Sequence, residues 1–417
     1  MHPSYTQSGR KLGFAVLFFV LCTIGVVTLE PFQFRVPHRV HLMWWDGWFD
    51  VVANIGLFVV PGFLFALTRQ ASTRRANPME SQRRTLSDAL VYGALISTCI
   101  EVCQAFEPAR FPSPTDVMSN TTGACLGAWL FLRISRFLRS DTPLIGMFAL
   151  ELPLMGLIYL LIPLSTLAAL TLPRATMASA RLTFSAPEWG LLALGCFGGV
   201  LLGHVQRFHF GPRRLVKPWQ SSAAAAAAFA LGTLPALRTN PMVVLAGACV
   251  VASAAGIIGA LGVRASSQGD RRFEAAALWR GAPAFLCYLA IASLADPQGE
   301  GRMRARVEII GKVESLAAFT VLGYLLAEGW GRLELRYRWV VAYVVVVCGV
   351  IALALLRARH GAPYSLMEFE ALAFHAVAGA YGGWIYHLQR AHIRSLVAAQ
   401  RGVGDMPTRT PQYATAA

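Results

Sequence analysis

Lysine is nearly missing from this chain: of 37 basic residues among 417, only Lys11, Lys217 and Lys312 are lysines. Charge of any kind is scarce, at 14% of residues, against roughly 25% in soluble domains. With 55% hydrophobic residues, that scarcity excludes an ordinary water-soluble domain. The net charge of +15 invites a nucleic-acid reading. The arginines, however, sit in short runs between apolar stretches, the pattern that orients membrane proteins, so no nucleic-acid partner is expected. The chain also lacks a P-loop, a dinucleotide-binding glycine motif, HExxH and GxSxG, which removes the common nucleotide, zinc-protease and serine-hydrolase readings. No cofactor and no metal are expected. Cys99 and Cys103 share a helix face, but no His or further Cys stands at a zinc-like spacing. All eight cysteines lie inside apolar segments, so they read as small buried hydrophobes and not as a disulfide framework. The start of the chain, Arg10-Lys11 before the apolar run Leu12 to Leu29, has no small-x-small cleavage site and reads as an uncleaved first helix.

What the chain has in quantity is long apolar runs. About 20 such residues cross a bilayer as a helix. On that rule the chain reads as an all-α polytopic transmembrane bundle of about 12 spans, near 12–29, 50–67, 86–106, 116–134, 144–163, 187–206, 219–237, 241–263, 275–294, 308–329, 339–356 and 367–388. Arginine-rich loops such as Arg69 to Arg84, Arg133 to Arg139 and Arg207 to Lys217 fall on one side, with Arg302-Arg304-Arg306 dissenting. The majority places both termini in the cytoplasm; binding of anionic lipid is the other use such loops can have. The tail from about Val397 is polar and Pro-containing and reads as disordered.

Residues 44–131 draw attention because polar groups sit near the ends of three successive apolar segments: Asp50 and Asn54, then Ser97, Glu101 and Gln104, then Asp116 and Asn120. Polar groups at membrane depth are costly and mark functional sites by default. Arg110 lies in the short Pro-rich loop between the second and third segments, and Trp44, Trp45 and Trp48 precede the first like an interfacial belt. The order Asp50…Asn54…Phe58…Pro61-Gly62-Phe63, then Ser97…Glu101…Gln104, then Arg110…Ser113…Asp116…Asn120…Gly123…Gly127, together with Glu30-Pro31-Phe32, resembles the VanZ-like family of bacterial membrane proteins. The resemblance covers about residues 12–135. It implies a multi-pass protein of the bacterial cytoplasmic membrane and, through one family member, a link to glycopeptide (teicoplanin) tolerance. It does not imply a reaction.

Residue spacing makes the cluster physical. Asp116 and Asn120, Ser97 and Glu101, and Asp50 and Asn54 are pairs four apart that share helix faces. An arginine fork suits phosphate or carboxylate, and two carboxylates can divide acid and base roles. The expected roles are Glu101 and Asp116 as catalytic groups, with Arg110, Asn54, Gln104, Asn120, Asp50 and Ser97 binding. The partner is expected to be a membrane lipid or a lipid-linked envelope precursor at the outer face. Three alternatives stay open: an ion pair of Arg110 with Glu101 or Asp116 that only pins helix ends, a transporter or flippase, and a non-catalytic envelope scaffold. Glu151, His204, His387 and His375 also stand in or beside apolar runs; the first reads as a second polar position, the last as a packing residue.

An internal repeat is also expected. Asn54-x3-Phe58-x3-Gly62 recurs as Ser315-x3-Phe319-x3-Gly323, and Gly123-x3-Gly127 with Trp129 recurs as Gly379-x3-Gly383 with Trp384. The resulting division is 1–140 as a four-helix domain, 141–270 as middle helices, 271–395 as a second copy without the polar residues, and 396–417 as the tail.

Overall fold

The computed structural model of the protein describes residues 3–29, 32, 34–36, 42–44, 47–70, 78–108, 110–138, 186–209, 218–234, 241–261, 275–294, 302–331, 337–360 and 366–404. Among these there are eleven helices and no strand: α1 (Pro3–Leu29), α2 (Trp48–Gln70), α3 (Pro78–Ala105), α4 (Pro114–Leu138), α5 (Ala186–His209), α6 (Pro218–Gly232), α7 (Pro241–Leu261), α8 (Ala275–Leu294), α9 (Arg302–Gly331), α10 (Tyr337–His360) and α11 (Leu366–Gly404). Five of them open on proline, which suits a first helical turn because its missing N–H has no partner there anyway.

Eleven of the twelve expected segments coincide with a helix; the one at 144–163 lies outside the described residues, as does Glu151. Five stretches are long and apolar enough to cross a membrane: Gly9–Leu29, Asp50–Arg69, Gln82–Ala105, Pro241–Ala260 and Ile310–Glu328. Stretches in α5, α6, α8 and α10 are apolar but shorter. The expected span at 219–237 is one of these, since α6 stops at Gly232. Large apolar side chains point outward along the long helices, among them Val60 on α2, Leu90 and Leu95 on α3, Leu245 and Ile257 on α7, and Val346 on α10. A surface of that kind is costly in water and natural in lipid. The chain is a helical bundle of the multi-pass membrane type.

Small residues decide how the helices meet. A methyl group added at Gly62 would strike the Ala124 carbonyl, one at Gly123 the Ile55 carbonyl, and one at Gly127 the Val59 carbonyl and the Phe63 nitrogen. The backbones of α2 and α4 therefore touch along three helical turns, a contact that only glycine permits. α3 leans on α4 through Gly93, which faces Ala124 and Thr121. Two other sets of three helices also meet through small residues. In α5, α6 and α7, Gly199 and Gly203 lie against the backbone of Val251 and Ala255, and α6 leans on α7. In α9, α10 and α11, Gly323 meets Gly379, Gly382 meets the Thr320 carbonyl and the Tyr324 nitrogen, and Cys348 of α10 faces Gly379. By these contacts Gly382, and not Gly383, stands where Gly127 stands. Trp384 then falls in the place of Trp129, and both are largely exposed.

α1 joins the first triple to the third. It packs on α2 and α3 and also on α9 and α11; Tyr381 of α11 donates a hydrogen bond to the Ala15 carbonyl and packs its ring on Phe18 and Phe19. The largest buried cluster runs through α1 and α5–α11, whereas α2–α4 hold two small clusters around Ala66 and Phe58. Past the apolar stretch of α11, His392 is buried against Gly9. All eight cysteines are free thiols.

Two expectations follow. Gly127→Val forces α2 and α4 apart and costs roughly 1–3 kcal/mol or more, while Gly56→Ala, at an open position, changes stability by about 0.5 kcal/mol or less. Thermal unfolding in detergent checks this, and equal melting temperatures for the two variants would refute the contact. Burial pushes the His392 imidazole down from 6.5 to about 4. The unfolded chain takes up this proton at a higher pH than the folded one. Stability is thus complete above the ordinary histidine value and falls as pH drops toward the folded one. His392→Gln should flatten melting temperature between neutral pH and about pH 5; an unchanged slope would show that His392 is not the group responsible.

Candidate functional site

The cluster sits where α3 ends and α4 begins. α3 carries Ser97, Glu101 and Gln104 on one buried face, four and three residues apart, as helical geometry requires. The chain then turns tightly: the Phe106, Glu107 and Arg110 nitrogens donate to the carbonyls of Cys103, Gln104 and Glu107 at 3.1, 2.9 and 3.0 Å. α4 starts with Ser113 as its cap, whose carbonyl accepts from the Asp116 and Val117 nitrogens, and Pro114 as its first helical residue.

Ser113 is an unusual cap. In the common capping box the residue three places on reaches back to the cap's own N–H; here that would be Asp116. Instead the Ser113 N–H donates to Glu101 Oε2 of α3, at 2.7 Å. A carboxylate at a helix N-terminus also meets the positive end of the helix dipole. Glu101 is thereby both capped and capping, with 7% of its surface exposed. Asp116 lies within electrostatic reach of it. One turn further into the bundle, Asn120 Nδ2 donates to Ser97 Oγ at 2.9 Å. Two polar atoms beside these bonds are buried without a hydrogen-bond partner: Ser113 Oγ and Asn120 Oδ1. Leaving such atoms unsatisfied costs about 1–3 kcal/mol each.

Gln104 and Arg110 face a different helix end. Gln104 Nε2 donates to the Thr28 carbonyl at 3.1 Å and Arg110 Nη2 to the Val27 carbonyl at 3.3 Å. Both carbonyls belong to the last turn of α1, where backbone acceptors lack helical partners and a cation meets the negative end of the dipole. Among the described residues no ion pair joins Arg110 to Glu101 or Asp116. Arg110, in the loop between α3 and α4, instead reaches over the end of α1, because the tight turn aims the side chain there.

The structure thus joins Ser97 to Asn120 and Glu101 to Ser113, sets Asp116 nearby, and ties Gln104 and Arg110 to α1. Asn54 is half-buried and Asp50 exposed, and among the described residues no hydrogen bond links either to the cluster. Ser113 and the buried Glu107 are the residues that sequence reasoning left out of the site. The Ser113-Pro114 step, a cap followed by a first-turn proline, is the signal that points to the former. Among the described residues no group of three His, Cys, Asp or Glu side chains is placed to hold a metal. Two further buried pairs lie in the last helices: Tyr288 Oη donates to Glu314 Oε1 at 2.7 Å, and Tyr324 Oη to Gln389 Oε1 at 2.8 Å. His375 packs on Phe319, with ring centroids 4.2 Å apart. The His204 side chain is not among those described, and His387 is exposed at the end of its apolar stretch.

Residues 5–139 match the family described as VanZ/LLP1. No curated protein and no solved structure matches the chain.

Replacing Glu101 separates shape from hydrogen bonding. Glu101→Gln keeps an acceptor for the Ser113 N–H, whereas Glu101→Leu leaves that N–H buried and unpaired at a cost of about 1–3 kcal/mol. Melting temperatures of both variants check this; equal values would show that the bond contributes nothing to holding α4 on α3.

Proposed function

Residues 5–139 form a VanZ/LLP1-family domain, and from that premise we propose that this multi-pass membrane protein binds the anionic headgroup of a lipid or lipid-linked envelope precursor at the α3–α4 cluster. The observation that carries the reading is the pair of buried, unpartnered atoms, Ser113 Oγ and Asn120 Oδ1, beside the Glu101 carboxylate. Folding does not benefit from them; a ligand hydroxyl would donate to Asn120 Oδ1, and a hydroxyl or phosphate oxygen would accept from Ser113 Oγ. Arg110 supplies the cation, since its bond to Val27 occupies one of five guanidinium donors. Glu101 and Asp116 provide proton transfer or charge complementarity.

The three similarly packed triples support a functional over a merely structural cluster. We read them as copies of one unit. In the register set by Gly127 and Gly382, His375 stands at the place of Asn120 and Ala371 at that of Asp116. On the preceding helix, Gly93 and Cys348 set the register, and Ala352 stands at the place of Ser97 and Leu356 at that of Glu101. The third triple packs in the same manner without these groups, so they are not needed to hold such helices together. In this reading the arginine-rich loops face the cytoplasm and the cluster lies at the outer face of the bacterial cytoplasmic membrane. The link to glycopeptide tolerance enters through the family.

A transporter or flippase is the second reading. Repeated helical units are common in transporters, and polar groups buried between helices, such as Tyr288–Glu314, are used there for coupling.

Untargeted lipid mass spectrometry on membranes from strains with the wild type, with Asp116→Asn and with no protein tests the choice. A headgroup species present only with the wild type establishes chemistry at this site. Identical profiles in all three remove the lipid-modifying reading, and movement of an unchanged lipid between leaflets would then favour transport.

A further inference from the structure

The cluster is roofed by two connections that lie at the same end of the bundle, the α1–α2 connection and the α3–α4 turn. They are tied by backbone bonds: the Arg35 nitrogen donates to the Phe106 carbonyl at 2.7 Å and the Met43 nitrogen to the Pro112 carbonyl at 3.1 Å. Thr115 Oγ1 adds a bond to the Trp44 carbonyl. Beneath the roof Glu101, Ser113 and Asn120 are buried at 7%, 2% and 5% exposure.

The roof itself is covered with exposed apolar side chains. Trp44 and Trp48 are 71% and 75% exposed, and Phe32, Phe34, Phe106 and Phe111 all exceed 40%. A folded protein facing water seldom displays so many large aromatic side chains at one end. Phe32 adds a second observation: its φ is +61°, a left-handed conformation that is strained for a bulky residue. The strain is not offset by burial: among the described residues Phe32 packs edge-on against Phe34, with centroids 6.3 Å apart, and both rings stay exposed. A third is that Val52 of α2 and Val102 of α3 are exposed four residues from Trp48 and Phe106, so exposed apolar side chains continue from the helices to the roof, with Arg35 exposed among them.

From these we propose that the two-connection roof is seated in the headgroup–acyl boundary of the leaflet at this end of the bundle, so that the cluster beneath takes its ligand laterally from that leaflet and not from water. Tryptophan and its aromatic neighbours favour that boundary, where an apolar ring and a polar edge are both satisfied. The ligand class narrows accordingly to an amphiphile with an anionic or hydroxylated head and a hydrocarbon tail; a water-soluble phosphate is excluded. This rests on the binding role proposed above for the cluster.

The full chain reconstituted in phosphatidylethanolamine–phosphatidylglycerol vesicles tests it. Tryptophan emission is compared between the wild type and Trp44→Phe/Trp48→Phe, with brominated phosphatidylcholines of different bromine depth or aqueous iodide as quencher. The emission removed by the double substitution should be quenched several-fold more by bromine near the headgroup than by bromine at the bilayer centre, and little by iodide. Strong iodide quenching without lipid quenching overturns the proposal. Phe34→Trp provides an independent reporter on the same roof and should show the same depth; iodide-sensitive emission from it would equally overturn the proposal. The lipid profiles described above answer separately: a water-exposed roof with an Asp116-dependent lipid species would remove the lateral route and leave the binding role standing. A boundary-seated roof with identical profiles would leave the lateral route standing and remove lipid modification at the cluster.

Discussion

A carboxylate inside an apolar helix must find donors, and much of the first domain follows from how Glu101 finds one. Burying an ionised group without compensation costs several kcal/mol. The Ser113 N–H supplies a bond at 2.7 Å, and the first turn of α4 supplies the favourable end of a helix dipole. That solution fixes the start of α4 against the last turn of α3. Seven residues along α4, Asn120 then comes level with Ser97, and Gly123 and Gly127 come level with the carbonyls of α2. The short turn between the helices must accordingly fold back on itself, which sends Arg110 and Gln104 toward the unpaired carbonyls of α1. Three helix ends are organised around one buried acid.

Much of this was legible beforehand, because helical periodicity is local information. Ser97, Glu101 and Gln104 were bound to share a face, as were Asp116 and Asn120, and small residues four apart promised a close helix contact. What could not be read was which partner each side chain would choose across space. Glu101 and Arg110 are natural ion-pair candidates by charge, yet a backbone N–H satisfies the acid and two backbone carbonyls attract the side chains of the turn. Orphan backbone groups at helix ends leave no mark on composition, which is why Ser113 was overlooked. The glycine pairing slipped by one residue for a related reason. Gly-x3-Gly recurs in the letters as Gly379 and Gly383, but contact depends on which glycine faces a carbonyl, and that is Gly382. The Tyr288–Glu314 pair was missed because its members stand on different helices.

The buried polar groups of the chain fall into two kinds. Tyr288 with Glu314 and Tyr324 with Gln389 are donor–acceptor pairs joined at ordinary hydrogen-bond distances, and a satisfied pair of this sort can specify how helices pack. The α3–α4 cluster instead leaves a hydroxyl and an amide oxygen over within one site, where Tyr92 Oη and His375 Nδ1 are single atoms left over elsewhere. Since each such atom carries a desolvation penalty of about 1–3 kcal/mol, a site with two of them is less stable than a simple apolar interface of the same shape.

That deficit bears on where the ligand comes from. A site open to water would fill its spare hydrogen-bonding capacity with solvent, and its polar atoms would not remain buried at a few per cent exposure. A roof of tryptophan and phenylalanine instead separates the cluster from bulk water while leaving it beside the lipid-facing surfaces of α2 and α3. The penalty of the unsatisfied atoms is then recovered only when a group with its own donors enters from the hydrocarbon side. Sugar and glycerol hydroxyls on a lipid have such groups, a phosphate ester can only accept from the Ser113 hydroxyl, and acyl chains do neither. In the proposed reading, the discrimination needed to hold a headgroup in a sea of tails follows from the two spare polar atoms together with the aromatic covering above them.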